Sequence, residues 1–156
     1  MIPFNPAMIQ RIQSLFLLGV SILSVLLYFI PVYGFSELPG TVPDPAAAAT
    51  AQDLSIAGNT LLMILNGAIG VFSLLAILLY KNRSLQMRVC RLNILLTCVL
   101  MVLLYFAVDT LSSGMNKQIH FRYGAYIPFF EILFLFLANF YIRKDDELVR
   151  SADRLR

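Results

Sequence analysis

The chain has 156 residues, of which 59% are apolar and 13% are charged, and its formal net charge is +3. Soluble domains contain roughly 45–50% apolar and about 25% charged residues, so too few charges are present here to cover a water-exposed globule. The composition excludes a soluble domain and a disordered chain, and two cysteines are too few for a disulfide-stabilised secreted domain. A membrane protein remains.

Four apolar segments follow one another along the chain, and each is long enough to cross a bilayer. They cover residues 12–33, 59–80, 92–108 and 126–142, with few or no charges. A helix rises about 1.5 Å per residue, so a hydrocarbon core of about 30 Å requires roughly 20 residues, with about 17–25 tolerated. The segments are continuously apolar instead of alternating, which favours helices over barrel strands. The prediction is an all-α fold, an integral membrane four-helix bundle that forms one domain over residues 1–156.

The first segment has an alternative interpretation as a cleaved signal peptide. Its apolar run is longer than the roughly 7–15 residues of a signal sequence, and the small-residue tract 46–51 comes too late to provide the cleavage site. We therefore favour a membrane span.

The loops contain few structural signals. Asp44 followed by Pro45 is typical of a helix N-terminus, which predicts a short helix that runs towards Ala57 and ends near Gly58. The third loop, around residues 109–123, is short and polar.

The tail at residues 143–156 follows the fourth span and carries charges of both signs. Arg143 and Glu147 are spaced i to i+4, and so are Asp146 and Arg150, which favours a short cytoplasmic C-terminal helix that continues the fourth span.

Basic residues predict the orientation, because cytoplasmic loops collect lysine and arginine. Of the twelve basic residues, ten fall on the side of the two termini and the second loop, and two fall on the other side. The ten are Arg11, Lys81, Arg83, Arg88, Arg91, Arg143, Lys144, Arg150, Arg154 and Arg156. Both termini should therefore be cytoplasmic, which agrees with an even number of spans.

Small and polar residues predict which side of each span faces its neighbours, because helices in lipid associate through small residues and hydrogen bonds. Such residues recur at helical spacing in every span, and this favours a compact bundle. The stripes are Ser14, Ser21, Ser24 and Tyr28; Asn59, Met63, Asn66, Gly70 and Ser73; Cys90, Asn93 and Thr97; and Glu131, Leu135, Ala138 and Asn139.

Glu131 is the charged residue that lies clearly within a span. It is about 6 Å inside the predicted outer end of the fourth span, where snorkelling towards the interface would relieve the cost of burial. Tyr28 and Asn66 are predicted at a similar depth on inward faces, so the three form a candidate intramembrane polar cluster. A structural role as a hydrogen-bonding carboxyl group is favoured over a proton or ion relay, because no further ionisable residues follow across the bilayer.

No residue pattern points to catalysis, a cofactor or a metal. Cys90 and Cys98 are eight residues apart, which fits neither a redox nor a zinc motif and favours small buried side chains. His120 is the one histidine, and the sequence has no phosphate-binding loop and no nucleophile motif. We expect no enzyme activity, no cofactor, no metal and no nucleic acid partner.

The two ends of the chain resemble a known family. The run Met8-Ile9-Gln10-Arg11-Ile12-Gln13-Ser14-Leu15-Phe16-Leu17-Leu18 and the stretch from Leu137 to Arg156, which closes with Val-Arg-Ser-Ala-Asp-Arg-Leu-Arg, are similar to the domain of unknown function 4293 family, small four-helix membrane proteins of Bacteroidota. The resemblance implies a bacterial inner membrane and no known activity. Seven residues precede Met8, where such proteins usually begin, and Phe140-Tyr141 replaces the smaller or more polar pair expected there.

The resemblance directs attention to the two cytoplasmic ends. Our first hypothesis is an accessory or scaffold subunit in contact with the lipid bilayer, whose cytoplasmic face binds a membrane or cytoplasmic protein or a second copy of the chain. The candidate surface comprises Gln10, Arg11, Gln13, Arg143, Lys144, Arg150, Arg154 and Arg156. The alternative is a small transporter or channel component that uses the Tyr28, Asn66 and Glu131 cluster.

Overall fold

Four long helices dominate the computed structural model, which describes residues 6–37, 55–113 and 117–153. They are α1 (Pro6–Phe29), α2 (Thr60–Leu78), α3 (Arg83–Ser113) and α4 (Ile127–Asp153). Each contains a segment long and apolar enough to cross a membrane. The chain is a multi-pass membrane protein with a four-helix architecture, as its composition predicts.

The helices pack as a ring in which each contacts its neighbours in the chain, and α1 also packs against α4. Helices α1 and α4 are antiparallel, since Phe16 stacks on Tyr141 with ring centroids 5.7 Å apart while Ser24 bonds to Glu131. The first turns of α1 therefore lie at the same end of the bundle as the last turns of α4. Arg83 lies there too, and we call this the Arg83 end.

A two-stranded sheet closes the opposite end, which we call the sheet end. Strand β1 (Tyr33–Glu37) pairs antiparallel with β2 (Lys117–Phe121), with Tyr33 opposite Phe121. The rings of that pair lie 5.4 Å apart. From the sequence, both segments were expected to lie in loops or at the end of the first span. That assignment is wrong, because five-residue strands acquire their pairing only when α1 and α4 bring them together.

The observed helix boundaries differ from the predicted spans for identifiable reasons. Helix α1 ends at Phe29 instead of Tyr33, because Pro31 lacks an N–H group and disfavours helical geometry in the residue before it. Helix α3 begins nine residues before the predicted Leu92, since hydropathy detects only the apolar part of a helix that also includes basic residues. The prediction that the tail continues the fourth span as a helix is confirmed up to Asp153, where α4 ends.

Side-chain caps fix the start of α2. The Asn59 side chain accepts a hydrogen bond from the Leu61 amide at 3.0 Å, and Ser55 caps a short 3-10 helix at Ile56–Gly58. The short helix predicted from Pro45 falls mostly outside the described residues, so only its end near Gly58 can be compared.

Most of the predicted inward stripes are buried. Among their members, Ser21, Ser24, Asn66, Ser73, Cys90, Asn93, Thr97, Glu131, Leu135 and Ala138 are buried. Met63 and Asn59 are exposed, the latter because it caps the end of α2. Cys98 is also exposed, against prediction, because it lies one residue beyond Thr97 and therefore turns away from the bundle.

Candidate functional site

Ser24 on α1 joins two other helices near the sheet end. Its hydroxyl donates a hydrogen bond to Glu131 Oε1 on α4 at 2.9 Å, and its backbone carbonyl accepts one from the Asn66 side chain on α2 at 2.8 Å. Ser24 is 2% exposed, and Glu131 and Asn66 are both fully buried. Three helices are therefore connected through one serine, and we call Ser24, Asn66 and Glu131 the Ser24 cluster.

Small residues allow the helices to approach closely at this level. A Cβ atom at Gly70 would lie 3.4 Å from Ser24 Cβ, and one at Gly67 would lie 2.9 Å from the Tyr28 hydroxyl. Close approach of backbones through glycine is typical of helix pairs in membranes.

Tyr28 lies one turn beyond Ser24 and bonds elsewhere. Its hydroxyl donates to the Met63 carbonyl at 2.7 Å, one turn from Asn66 on α2. Of the predicted polar cluster, the structure connects Asn66 and Glu131 through Ser24 and places Tyr28 beside them. Its role as a functional site stays a hypothesis.

From the sequence, the Glu131 side chain was expected to reach towards the interface, and in the structure it does not. Its side chain is fully buried, because the carboxylate turns towards Ser24 inside the bundle. The sequence showed Ser24 within an inward stripe, yet nothing in the pattern of α1 alone indicated which helix its hydroxyl contacts.

A second buried polar group connects α2 and α3. The Asn93 side-chain amide donates to Ser73 Oγ at 2.8 Å and to the Ile69 carbonyl at 3.2 Å. Thr97 Oγ1 donates to the Asn93 carbonyl at 2.9 Å within α3. This arrangement holds two helices together by side-chain hydrogen bonds in a region where burial of apolar surface gains little.

Replacing Asn93 with leucine should weaken the contact between α2 and α3. Interhelical hydrogen bonds in membranes contribute on average about 0.6 kcal/mol, and at most about 1.7 kcal/mol, so a loss of about 1 kcal/mol is expected. Reversible unfolding in mixed micelles measures it. The conservative Cys98→Ser change on the exposed face of α3 is the control and should have little effect; equal losses for the two variants would contradict the role of Asn93.

An ion pair fixes the Arg83 end. Arg83 Nε at the start of α3 lies 3.0 Å from Asp145 Oδ2 on α4, and the Asp145 side chain is only 5% exposed. Gln86 on α3 is buried as well. The ion pair ties the last turns of α4 to the first turn of α3, so this part of α4 is held by the bundle.

The predicted cytoplasmic surface needs one correction. Gln13 is 3% exposed, because it lies on the side of α1 that faces the bundle, so it cannot contribute to a partner surface. Arg143 is exposed and pairs with Glu147 at 3.1 Å, while Lys144 is half-buried. Arg154 and Arg156 lie outside the described residues, and of Gln10, Arg11 and Arg150 only the helical backbone is described.

An apolar cleft lies beside the sheet. Its volume is about 370 Å³, and its lining includes Tyr33, Leu104, Tyr105, Tyr126 and Phe129. Burial raises the pKa of the Tyr33 phenol, because desolvation disfavours the phenolate. The cleft brings residues from β1, α3 and α4 together and was not foreseen from the sequence.

The four spans and their buried polar contacts define a helical membrane protein of the four-helix class. The chain matches the family described as domain of unknown function (DUF4293) over residues 9–155, and it belongs to that family. The match covers α2, α3 and α4 completely and α1 from residue 9 onwards. No curated protein and no solved structure matches the chain.

Proposed function

We propose that this chain is a non-enzymatic accessory or scaffold subunit of the bacterial inner membrane, and that its Arg83 end faces the cytoplasm and binds a partner protein. The orientation is supported by the ten basic residues that the two termini and the second loop carry, against two in the loops on the other side.

The observation that carries the proposal is the fixed extension of α4. At about 1.5 Å per residue, its 27 residues span roughly 40 Å, more than the hydrocarbon core of about 30 Å. The Arg83–Asp145 ion pair attaches the charged turns beyond the apolar segment to α3. A partner that binds an already ordered helix loses less conformational freedom than one that must order a flexible tail.

The chemistry of this surface is mixed in charge. The Arg143 and Glu147 side chains are 76% and 64% exposed, so their ion pair adds little to stability and both groups are accessible to a partner. The family resemblance adds a location, the inner membrane of Bacteroidota. Lipids of the inner leaflet attract the nearby basic residues, which helps to hold this end at the membrane surface.

A pull-down in mild detergent tests the proposal. A chain that stops after Glu147 keeps the Arg83–Asp145 ion pair, and Arg143→Ala with Glu147→Ala removes the exposed pair without touching Asp145. We expect one defined protein to co-purify with the full chain and to be lost, or reduced about tenfold, in both variants.

Arg122→Ala removes one positive charge at the sheet end and provides the matched control, which should keep the partner. Retention of the partner in all three variants, or a partner lost only in Arg122→Ala, would contradict the proposal. A homo-oligomer that is indifferent to the truncation would favour the second candidate, a small transporter or channel component with a polar site at Tyr28, Asn66 and Glu131.

A further inference from the structure

Glu131 is the one charged residue within the apolar segments of the four helices. Residues 12–29, 60–78, 92–108 and 127–142 contain one charged residue, which is Glu131 itself. The ionisable side chains in these apolar segments, apart from Glu131, are three tyrosines and one cysteine: Tyr28, Tyr105, Tyr141 and Cys98. None carries a positive charge, so these four segments supply no counter-ion for a carboxylate.

A carboxylate without a counter-ion is costly in such a place. Glu131 is fully buried in the described bundle, and an isolated ionised carboxylate pays a large desolvation penalty in a medium of low dielectric constant. The single hydrogen bond from Ser24 compensates only part of it. Either a proton on the Glu131 carboxyl group or a cation beside it would relieve this penalty.

Two buried oxygen atoms of the Ser24 cluster are without a partner in the described part of the chain. Glu131 Oε1 accepts from Ser24, whereas Oε2 has no hydrogen-bond partner there. Asn66 donates through its amide nitrogen, which leaves its Oδ1 atom similarly unpartnered. Because both residues bond to Ser24, the two unsatisfied acceptors belong to one small polar region, and acceptors of this kind attract a cation or a proton.

We propose that the Ser24 cluster is a binding site for one monovalent cation, H⁺ or Na⁺, which is held between the Glu131 carboxylate and the Asn66 amide oxygen. One carboxylate balances a single positive charge. Within the described residues, no group of three or more His, Cys, Asp or Glu side chains could hold a metal ion, which argues against a divalent cation. Carboxylate and amide oxygens are suitable ligands for a hard cation.

The location indicates how the cation reaches the site. Glu131 lies four residues after Ile127, where α4 begins, or about 6 Å along the helix from the sheet end. The Arg83 end is farther away, beyond the Asn93 group and the Arg83–Asp145 ion pair. The sheet end is therefore the nearer end for exchange with the solution, and a bound cation would strengthen the connection between α1, α2 and α4.

Thermal unfolding of the purified full chain in detergent tests the Na⁺ form. The unfolding midpoint is measured against NaCl concentration, with N-methylglucamine chloride keeping the ionic strength constant. For a Na⁺ site we expect the midpoint to rise with Na⁺ and to saturate, because a ligand that binds only the folded state stabilises it. The rise should be absent in Glu131→Gln, which keeps the acceptor for Ser24 but carries no charge.

Infrared difference spectroscopy distinguishes the proton form. If H⁺ is the occupant, Na⁺ has no effect and the wild-type chain shows a carboxylic acid C=O band that disappears in Glu131→Gln. A second variant, Asn66→Leu, retains the carboxyl group: it should raise the Na⁺ concentration for the half-maximal effect about tenfold, or shift the C=O band of the acid.

Asn93→Leu is the matched control, because it removes a buried amide from the other polar group and should leave the Na⁺ response and the acid band unchanged. The proposal is overturned if the wild-type chain shows neither a specific Na⁺ effect nor an acid band assignable to Glu131. It is also overturned if Na⁺ raises the unfolding midpoint of Glu131→Gln as much as that of the wild-type chain. None of these measurements depends on a partner at the Arg83 end.

Discussion

Replacing Arg83 with methionine is expected to lower the free energy of unfolding by about 2 kcal/mol. Arg83 Nε lies 3.0 Å from Asp145 Oδ2, and the Asp145 side chain is 5% exposed, so the variant leaves a nearly buried carboxylate without its counter-ion. Loss of one partner of a fully buried pair costs about 3–5 kcal/mol. The figure is reduced here because the Arg83 side chain is 30% exposed and water screens part of the interaction. Reversible unfolding in mixed micelles measures the change.

Two further variants distinguish this ion pair from an ordinary surface contact. Adding Asp145→Leu to Arg83→Met removes the stranded carboxylate and should recover most of the lost stability, since apolar replacements of buried pairs are often neutral. Arg143→Met breaks the exposed pair with Glu147 and should cost no more than about 0.5 kcal/mol. A similar loss in Arg83→Met and Arg143→Met would show that Asp145 is not held as the structure indicates.

The ion pair also connects stability with the proposed function. If Arg83→Met loosens the last turns of α4, binding of a partner at the Arg83 end should weaken together with stability, although no residue of the exposed surface has changed. The Arg143→Ala and Glu147→Ala variant should instead lose the partner at unchanged stability. The two kinds of variant therefore distinguish a residue that holds the last turns of α4 in place from residues that contact the partner.

The spans and their inward faces were predictable because both depend on local sequence. A run of apolar residues of sufficient length must form a helix in lipid, and the spacing of Asn66 and Ser73, or of Asn93 and Thr97, places each pair on one side of its helix. The structure confirms that these side chains are buried. The family resemblance, which was carried by sequence motifs at the two ends of the chain, agrees with the family match over residues 9–155.

The contacts between helices were not predictable from the sequence. The spacing of residues shows which face of a helix is buried, but it does not show which other helix packs against that face. Ser24 was placed on an inward face, but its bond to Glu131 depends on the antiparallel packing of α1 and α4. The pairing of β1 with β2 likewise joins segments that are far apart in the sequence. Gln13 was assigned to the partner surface because the family resemblance directed attention to the two cytoplasmic ends, whereas the rotation of α1 turns this side chain inwards.

Replacing Gly124 with alanine should destabilise the sheet end by about 1–3 kcal/mol, in the range for overpacked sites. A Cβ atom at this position would lie 2.6 Å from the Pro31 carbonyl oxygen and 2.9 Å from that of Ile30. Both are backbone atoms, so no side-chain rotation relieves the collision. The segment after α1 would have to move away, which would strain the hydrogen bond from the Gly124 amide to the Pro31 carbonyl at 3.2 Å.

Gly58→Ala is the matched control, because a Cβ atom there meets nothing within 4 Å among the described residues, and a change within about 0.5 kcal/mol is expected. Unfolding measures the loss, and hydrogen exchange locates it. The Arg122 amide donates a hydrogen bond to the Val32 carbonyl at 3.0 Å. In Gly124→Ala, the amides of residues 122 and 124 should exchange faster, while the amides of α2 stay protected. The pairing of β1 with β2 depends on the close approach of Gly124 to Ile30 and Pro31. Equal stability of the two alanine variants would contradict this close approach.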